Sequence, residues 1–287
     1  MGLRINTNVA SLNAQRHLFN TTNNFNKSME KLSSGMRINR SGDDAAGLAI
    51  SEGLKSDIRA LDQAARNAAD GISLVQVAEG SMDELSNILL RMRELAEQAA
   101  TETLGDSERS YLDQEFQELV SEIDRISATA EFNGITLLDG DAGTLDVQVG
   151  IGTDVTTSAV SIDLSNAVDA AFLGMDPTDP LTTLMPQGAE EGGERARAMI
   201  GVIETASSEI SQMRAGFGAA QNRLETSIRN ISMTAENLAA ANSRIRDVDV
   251  AKETSTMTSL QILQQAGVSV LSQANMTSQL ALSLLQG

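Results

Sequence analysis

Apolar positions recur along this chain with helical spacing over very long stretches. From Leu54 the steps alternate four and three: Leu54, Ile58, Leu61, Ala65, Ala68, Ile72, Val75. A short step reaches Ala78, and the pattern resumes with Met82, Leu85, Leu89, Met92, Ala96 and Ala99. This spacing predicts one heptad seam with a single three-residue discontinuity. As a helix it would run roughly 70 Å. Ser41-Gly-Asp-Asp44 supplies side-chain oxygens for the first amides, and Gly105 suits the stop. A second helix is predicted over about 107–129, with Tyr111 or Leu112, Phe116, Leu119, Ile123 and Ile126 on one face. The seam returns downstream through Ile203, Ala206, Ile210, Met213, Phe217, Ala220 and Leu224. After one extra step of four come Ile228, Ile231, Ala235, Leu238, Asn242 and Ile245. Asn242 on a seam lowers stability while it can fix register.

The pattern changes between these segments. Phe132-Asn-Gly134 and Asp139-Gly140 are turn signals. Leu145–Val149 and Val160–Leu164 alternate apolar and polar residues, which predicts a β-hairpin. Two strands alone are marginally stable, so the hairpin must pack on the helices. Pro177, Pro180 and Pro186, followed by Gly188, Gly192 and Gly193, predict a linker. The ends form a third zone. Residues 1–40 place Ile5, Val9, Leu12, Leu18, Phe25, Met29 and Leu32 at helical spacing but hold eight Asn, a weak helix former. Residues 254–287 place Met257, Leu260, Leu263 or Gln264, Leu271 and Ala274 similarly. Each end is too weak to fold stably alone and needs the other, or an assembly, to become helical.

Composition sharpens this. The chain has no Trp, one Tyr, six Phe and twelve Met, so its apolar content is aliphatic, which suits the narrow layers of helix bundles. The absence of Cys excludes disulfides, thiolate metal sites and Cys nucleophiles. Charge is uneven within the net −18. Residues 1–40 carry six Lys/Arg against Glu30 alone, 126–194 carry twelve Asp/Glu and no Lys/Arg, and no charge follows Glu253. The overall balance disfavours nucleic acid, the acidic middle reads as a solvated surface, and the uncharged tail reads as a segment meant for burial. The first residues lack the apolar run of a signal peptide, and no 18-residue apolar stretch predicts a membrane span.

Candidate chemistry is sparse. Asp43-Asp44 could do acid–base work or bind a metal, but at a predicted helix start capping is the stronger reading. Asp139-Gly-Asp141 resembles the start of a calcium loop, yet the position that needs Glu is Gly150. His17, the only histidine, has no Ser–base context. Arg91 and Arg93 read as an anion site or as an exposed helix face. No P-loop or dinucleotide fingerprint occurs, so neither an enzyme nor a cofactor is expected.

Several motifs together resemble one family. Residues 32–51, LSSGMRINRSGDDAAGLAIS, resemble the N-terminal region of bacterial flagellins. So do the stretches 65–72, 91–96 and 131–134, while 221–223, 241–247, 264–267 and 273–275 resemble the C-terminal region. The resemblance implies a mostly α fold: long antiparallel helices in a coiled-coil-like bundle, one small β-hairpin, and terminal helices ordered on assembly. It implies an inner core domain from 1–43 and 251–287. A second core domain would comprise 44–194, with the N-terminal helices, hairpin and linker, and 195–250, the long C-terminal helix. Some fifty residues remain between the halves, so outer variable domains are not expected.

The implied function is a structural subunit that polymerises into the flagellar filament for motility, exported unfolded through the flagellar channel to an extracellular location. The implied partners are copies of the same chain, an export chaperone on the C-terminal region, and flagellar cap and hook-junction proteins. Toll-like receptor 5 is a further implied partner. By the resemblance, Arg91, Leu95 and Glu115 are the receptor contact and axial subunit interface. Ile5, Val9, Leu12, Leu32, Leu260, Leu263, Leu271 and Leu284 mark the self-assembly helices. The tail departs from the family pattern at Ala274-Asn-Met-Thr-Ser-Gln279 and ends in Leu284-Leu-Gln-Gly287.

Overall fold

The computed structural model describes residues 7–175, 183–184 and 192–286, with the side chains of 277–286 left undescribed. Ile5, the three prolines and the side chain of Leu284 lie outside what is described. The elements are α1 (Val9–Ser34), α2 (Ala45–Ala99), α3 (Asp106–Thr129), β1 (Glu131–Phe132), β2 (Ile135–Thr136), β3 (Gly143–Gln148), α4 (Val155–Ser158), β4 (Ala159–Leu164), α5 (Gly192–Arg246) and α6 (Val250–Gln286). The fold is mostly α, with long helices packed on one another, as the periodicity predicts. The chain divides into two compact units, residues 1–58 with 236–287 and residues 59–235. Helices α2 and α5 contribute to each unit.

In the first unit α1 and α6 pair antiparallel. Asn8 donates to the Ala274 carbonyl (2.9 Å), Ser11 to Asn275 (2.8 Å) and Gln264 to Thr22 (3.3 Å). Asn8 also caps α1 by accepting from the Ser11 amide, and Gly35 closes the helix at φ 71°, a conformation that costs glycine nothing. The face of α1 turned inward is Ser11, Ala14, Leu18, Thr21, Phe25, Ser28 and Leu32, an unbroken heptad alternation. Its counterpart on α6 is Met257, Leu260, Gln264, Gly267, Leu271 and Ala274. Val9, Leu12 and Met29, which share the helical spacing, are exposed, and of the alternatives Leu263 and Gln264 it is Gln264 that takes the seam. The reason is steric: small residues let the two helices approach, as Gly267 does under Leu18.

The α1–α2 and α5–α6 connectors are tied together in the same unit. Arg37 N donates to the Arg246 carbonyl (2.6 Å), and Val248 N donates to that of Gly35 (3.0 Å). The Arg246 guanidinium reaches Ser51, buried on α2, and pairs with Glu52. Asp44 accepts from the Gly47 amide (2.9 Å) and starts α2. Asn242 lies on the α5 seam with its Oδ1 buried and unpartnered among the described residues.

The second unit packs parts of α2, α3 and α5 with the strands. A continuous buried stripe of α2 runs through Leu61, Ala64, Ala68, Gly71, Val75, Ala78, Met82, Leu85, Leu89, Met92, Ala96 and Ala99, with Leu74 and Leu95 buried beside it. Steps of three and four alternate throughout, so the expected discontinuity is absent. It disappears because Ala64 and Gly71, not Ala65 and Ile72, face inward. A Cβ on Gly71 would stand 3.1 Å from Val147 and 3.3 Å from Leu224, so the bare backbone there admits both the hairpin and α5. On α5 the extra step of four from Leu224 to Ile228 is present.

Helix α3 faces inward through Phe116, Val120 and Ile123, with Leu112 half-buried and Tyr111 exposed. Gly105 does not stop α2: that helix ends at Ala99, and Gly105 is the N-cap of α3. The stop is made by Arg109, 6 % exposed, which donates Nε to the Ala99 carbonyl and Nη2 to that of Thr101, both at 3.0 Å. Gly192 and Gly193, expected in a linker, open α5.

Strands β3 and β4 form the expected antiparallel hairpin, from Gly143 opposite Leu164 to Gln148 opposite Ala159. Val147, Val160, Ile162 and Leu164 point into the core. A smaller hairpin, β1–β2, turns at Asn133-Gly134, where φ of 52° and 79° gives the two-residue turn that Asn-Gly favours.

Candidate assembly surfaces

The residues expected to make external contacts fall into different environments. Arg91 and Glu115 meet on the outside of unit 59–235: Nε and Nη2 of Arg91 donate to Glu115 Oε1 at 2.9 and 2.7 Å, and Nη1 donates to Glu94 at 2.9 Å. Glu115, then Glu94, hold the Arg91 guanidinium more firmly charged than usual. Leu95 is not part of this patch. It is 1 % exposed, one step before Ala96 on the buried stripe of α2, so no external partner reaches it while α2 stays packed. Arg125 and Glu122 make a second exposed pair on α3, and the arginine draws the Glu122 carboxyl below its ordinary range.

The α1–α6 pair carries apolar side chains outward. Val9, Leu12, Phe19 and Met29 on α1 are half to two-thirds exposed, as are Ile262, Leu263, Val268, Val270 and Met276 on α6. Leu32, Leu260 and Leu271 lie on the pairing side. A two-helix element with a small, partly polar interior and a large apolar exterior is built to be covered.

The carboxylates weighed as catalytic or metal-binding are occupied locally. Asp44 caps α2, and Asp43 accepts from the amides of Asn39 and Arg40. The Arg40 amide, then that of Asn39, hold the Asp43 carboxyl below its ordinary range. Asp139 accepts from the Asp141 amide and closes a turn. His17 is exposed on α1.

Unit 59–235 also encloses a cavity of about 460 Å³ between α5, β4 and Met82. Its lining is mixed: Leu164, Met213 and Phe217 beside Asp163, Glu209 and Arg223. Sequence reading missed this cavity and Arg109. Neither leaves a periodic signal: the cavity depends on groups distant in the chain, and Arg109 turns back across a loop to carbonyls eight and ten residues before it.

Residues 5–142 match the bacterial flagellin N-terminal helical region and residues 200–285 the bacterial flagellin C-terminal helical region. The chain belongs to the bacterial flagellin family. It is 46 % identical over 284 residues to a flagellin of Halalkalibacterium halodurans, covering 98 % of this chain and 99 % of that one. It is 42 % identical over 299 residues to the flagellar filament 33 kDa core protein of Treponema phagedenis, again covering 98 % and 99 %. A solved flagellar hook-associated protein of Vibrio parahaemolyticus shares the fold at TM-score 0.55 and 15 % identity, covering 71 % of this chain and all of that one. Membership makes this flagellin a structural filament subunit of the short form, and no described helix is long and apolar enough to cross a membrane.

Proposed function

We propose that this flagellin polymerises through the outward faces of α1 and α6, with residues 1–43 and 251–287 as the inner domain of the filament and 44–250 as the next layer. The observation that carries the reading is the apolar exterior of the α1–α6 pair, led by Leu12, Phe19, Leu263 and Val270. Burial of such side chains stabilises by about 1.5–3 kcal/mol each, and in a single chain that stabilisation is unrealised. Ordering of the ends would then be coupled to polymerisation. Lateral and axial contacts of this kind are heterologous and do not close, which yields a helical polymer.

Before assembly the same faces need cover. An export chaperone over 254–287 would supply it, and cap and hook-junction proteins would meet the ends of the filament. For the immune receptor, the exposed Arg91–Glu115 pair is the available contact, with Leu95 acting from the core to hold α2 in place. Electron microscopy of the full chain mixed with short filament seeds, beside a truncation lacking 1–43 and 251–287, tests the proposal. Elongation by the full chain alone is the expected result. A full chain that never elongates seeds moves a junction or capping role ahead.

A further inference from the structure

The α1–α6 interface does little to choose its own register. The inward faces of both helices repeat every seven residues, and much of their interior is small. In the structure Leu18 lies over Gly267, and the links from Asn8 to Ala274, Ser11 to Asn275 and Gln264 to Thr22 follow the same alignment. If α1 slid one heptad toward the end of α6, Leu18 would meet Ala274, Phe25 would meet Gly267 and Leu32 would meet Leu260. Each of these pairs is apolar, and Phe25 would enter the gap that Gly267 leaves. Helix α6 has 37 residues against 26 for α1, so the slid helix would still be paired over its full length. The loss would be hydrogen bonds of exposed or half-exposed groups, which water replaces at little cost.

The connectors beyond the interface do choose. Only residues 247–249 join α5 to α6, so α6 follows α5 closely. The α1–α2 connector, 35–44, would reach about 33 Å if extended, well beyond the roughly 10 Å of a heptad slide. It is held at two points instead. Ile38 is 2 % exposed and sits against the start of α2, where a Cβ on Gly47 would stand 2.8 Å from Ile38 Cδ1. Arg246, the last residue of α5, makes the second point. Its carbonyl accepts from the Arg37 amide, its Nε donates to Met36 Sδ at 3.1 Å, and its Nη1 reaches Ser51 and Glu52 on α2. Arg37 returns a bond from Nη2 to the Ile245 carbonyl at 2.6 Å. One residue thereby joins the end of α5, the connector behind α1 and the first turns of α2.

We propose that this clasp, with Ile38 as its plug and Arg246 as its joint, sets the register in which α1 and α6 pair. The consequence for polymerisation is direct. Leu12 and Phe19 on α1 and Leu263 and Val270 on α6 share the outward apolar exterior, and a slide displaces its two halves by about 10 Å. A chain paired out of register carries the same apolar area in a pattern that its neighbours do not match. The inference rests on the filament-subunit reading and names the positioning residues behind it.

The natural chain has no cysteine, so introduced pairs report cleanly. A Cβ on Gly267 would stand 3.9 Å from that of Leu18, the separation a disulfide needs. Leu18→Cys with Gly267→Cys therefore reports the observed register. Leu18→Cys with Ala274→Cys reports the slid one, since Ala274 lies about 10 Å along α6 from the residue that Leu18 faces. Each full-length chain is equilibrated unassembled in glutathione buffer, and the effective concentration of its pair is read by mass spectrometry. The expected ratio favours the observed register by about tenfold or more. Ile38→Ala and Arg246→Ala should each lower it, and the two together should bring it within about threefold of one. Arg246→Lys, which keeps a cation beside Glu52, should recover part of it. In seeded growth the oxidised 18–267 pair should restore elongation to the chain that lacks both clasp side chains, and the oxidised 18–274 pair should block elongation by an otherwise natural chain. A ratio that ignores both substitutions, or a lock at 18–267 that restores nothing, overturns the clasp and leaves the subunit reading intact. An unaltered chain that does not elongate seeds overturns the subunit reading, while the glutathione ratio still decides the register.

Discussion

At the scale of single residues, function depends on where polar groups are spent. Arg109 is the costly case: a guanidinium almost wholly buried, donating to two carbonyls that end α2. Hydrogen bonds from a charged donor contribute about 1.5–3 kcal/mol each, and their loss would strand the Ala99 carbonyl and leave that of Thr101 only the Leu104 amide at 3.4 Å. Arg109→Ala is expected to destabilise the monomer by about 2–4 kcal/mol in urea unfolding, and Arg109→Lys by less, since an ammonium still donates to one of the two carbonyls although it cannot span both. A change below 0.5 kcal/mol would mean that water replaces the cap without loss. The Arg91–Glu115 pair is the contrary case. It is exposed and screened by solvent, so it adds little to stability and its place on the surface concerns contact.

Asp43 gives a pH dependence with a defined sign. Its carboxyl is lowered by the amides of Arg40 and Asn39. A group whose folded value is depressed stabilises above its unfolded pKa, and that contribution is lost as pH falls through the folded value. The connector at 35–44 is therefore expected to loosen below about pH 4, seen as faster amide exchange at Asn39 and Arg40. Asp43→Asn should already show faster exchange at neutral pH and flatten the acid response. Equal exchange in both proteins across that range would refute the assignment.

Among the elements, those with a large apolar interior were legible from sequence and those with a small interior were not. Helix α3 and the lower part of α2 follow Leu, Met, Phe and Ile steps that admit one inward face. Where two small residues adjoin, as at Ala64-Ala65, hydropathy does not say which one turns in. At Gly71 the inward residue has no side chain to register. The α1–α6 pair inverts the rule: its interior is Ser, Thr, Ala and Gly at close approach, so the apolar residues that draw the eye point outward. The expected assembly residues Val9, Leu12 and Leu263 thus sit where a neighbouring chain could reach them. Leu32, Leu260 and Leu271 hold the pair itself. Leu95 belongs with the core for the reason that α2 does: its neighbour stripe is continuous.

Asn242 tests the same scale. Its Oδ1 is buried without a partner, which costs about 1–3 kcal/mol that an apolar residue avoids. Asn242→Leu is expected to stabilise the unit of residues 1–58 and 236–287 by about 1–2 kcal/mol, measured by hydrogen exchange along α5 near Leu238 and Ile245. If exchange there is unchanged or faster, Asn242 has a partner in solution, and its role in register comes at no expense.

For the whole molecule the decisive quantity is the distribution of charge. Residues 59–235 hold eleven Lys/Arg against thirty Asp/Glu, whereas the remaining residues hold ten against nine. Copies that pack side by side bring together units of net −19 while their terminal segments, at +1, repel little. Assembly therefore sets apolar burial at the ends against repulsion in the second unit. Screening decides the balance, because the Debye length falls from about 30 Å at 0.01 M to about 8 Å at 0.15 M salt. Seeded growth is expected to have a critical concentration at least about tenfold lower at 0.15 M than at 0.01 M sodium chloride. Sucrose at matched osmolality should not reproduce the drop, since it favours burial without screening charge. A critical concentration indifferent to salt would mean that the acidic surfaces stay farther apart than a Debye length.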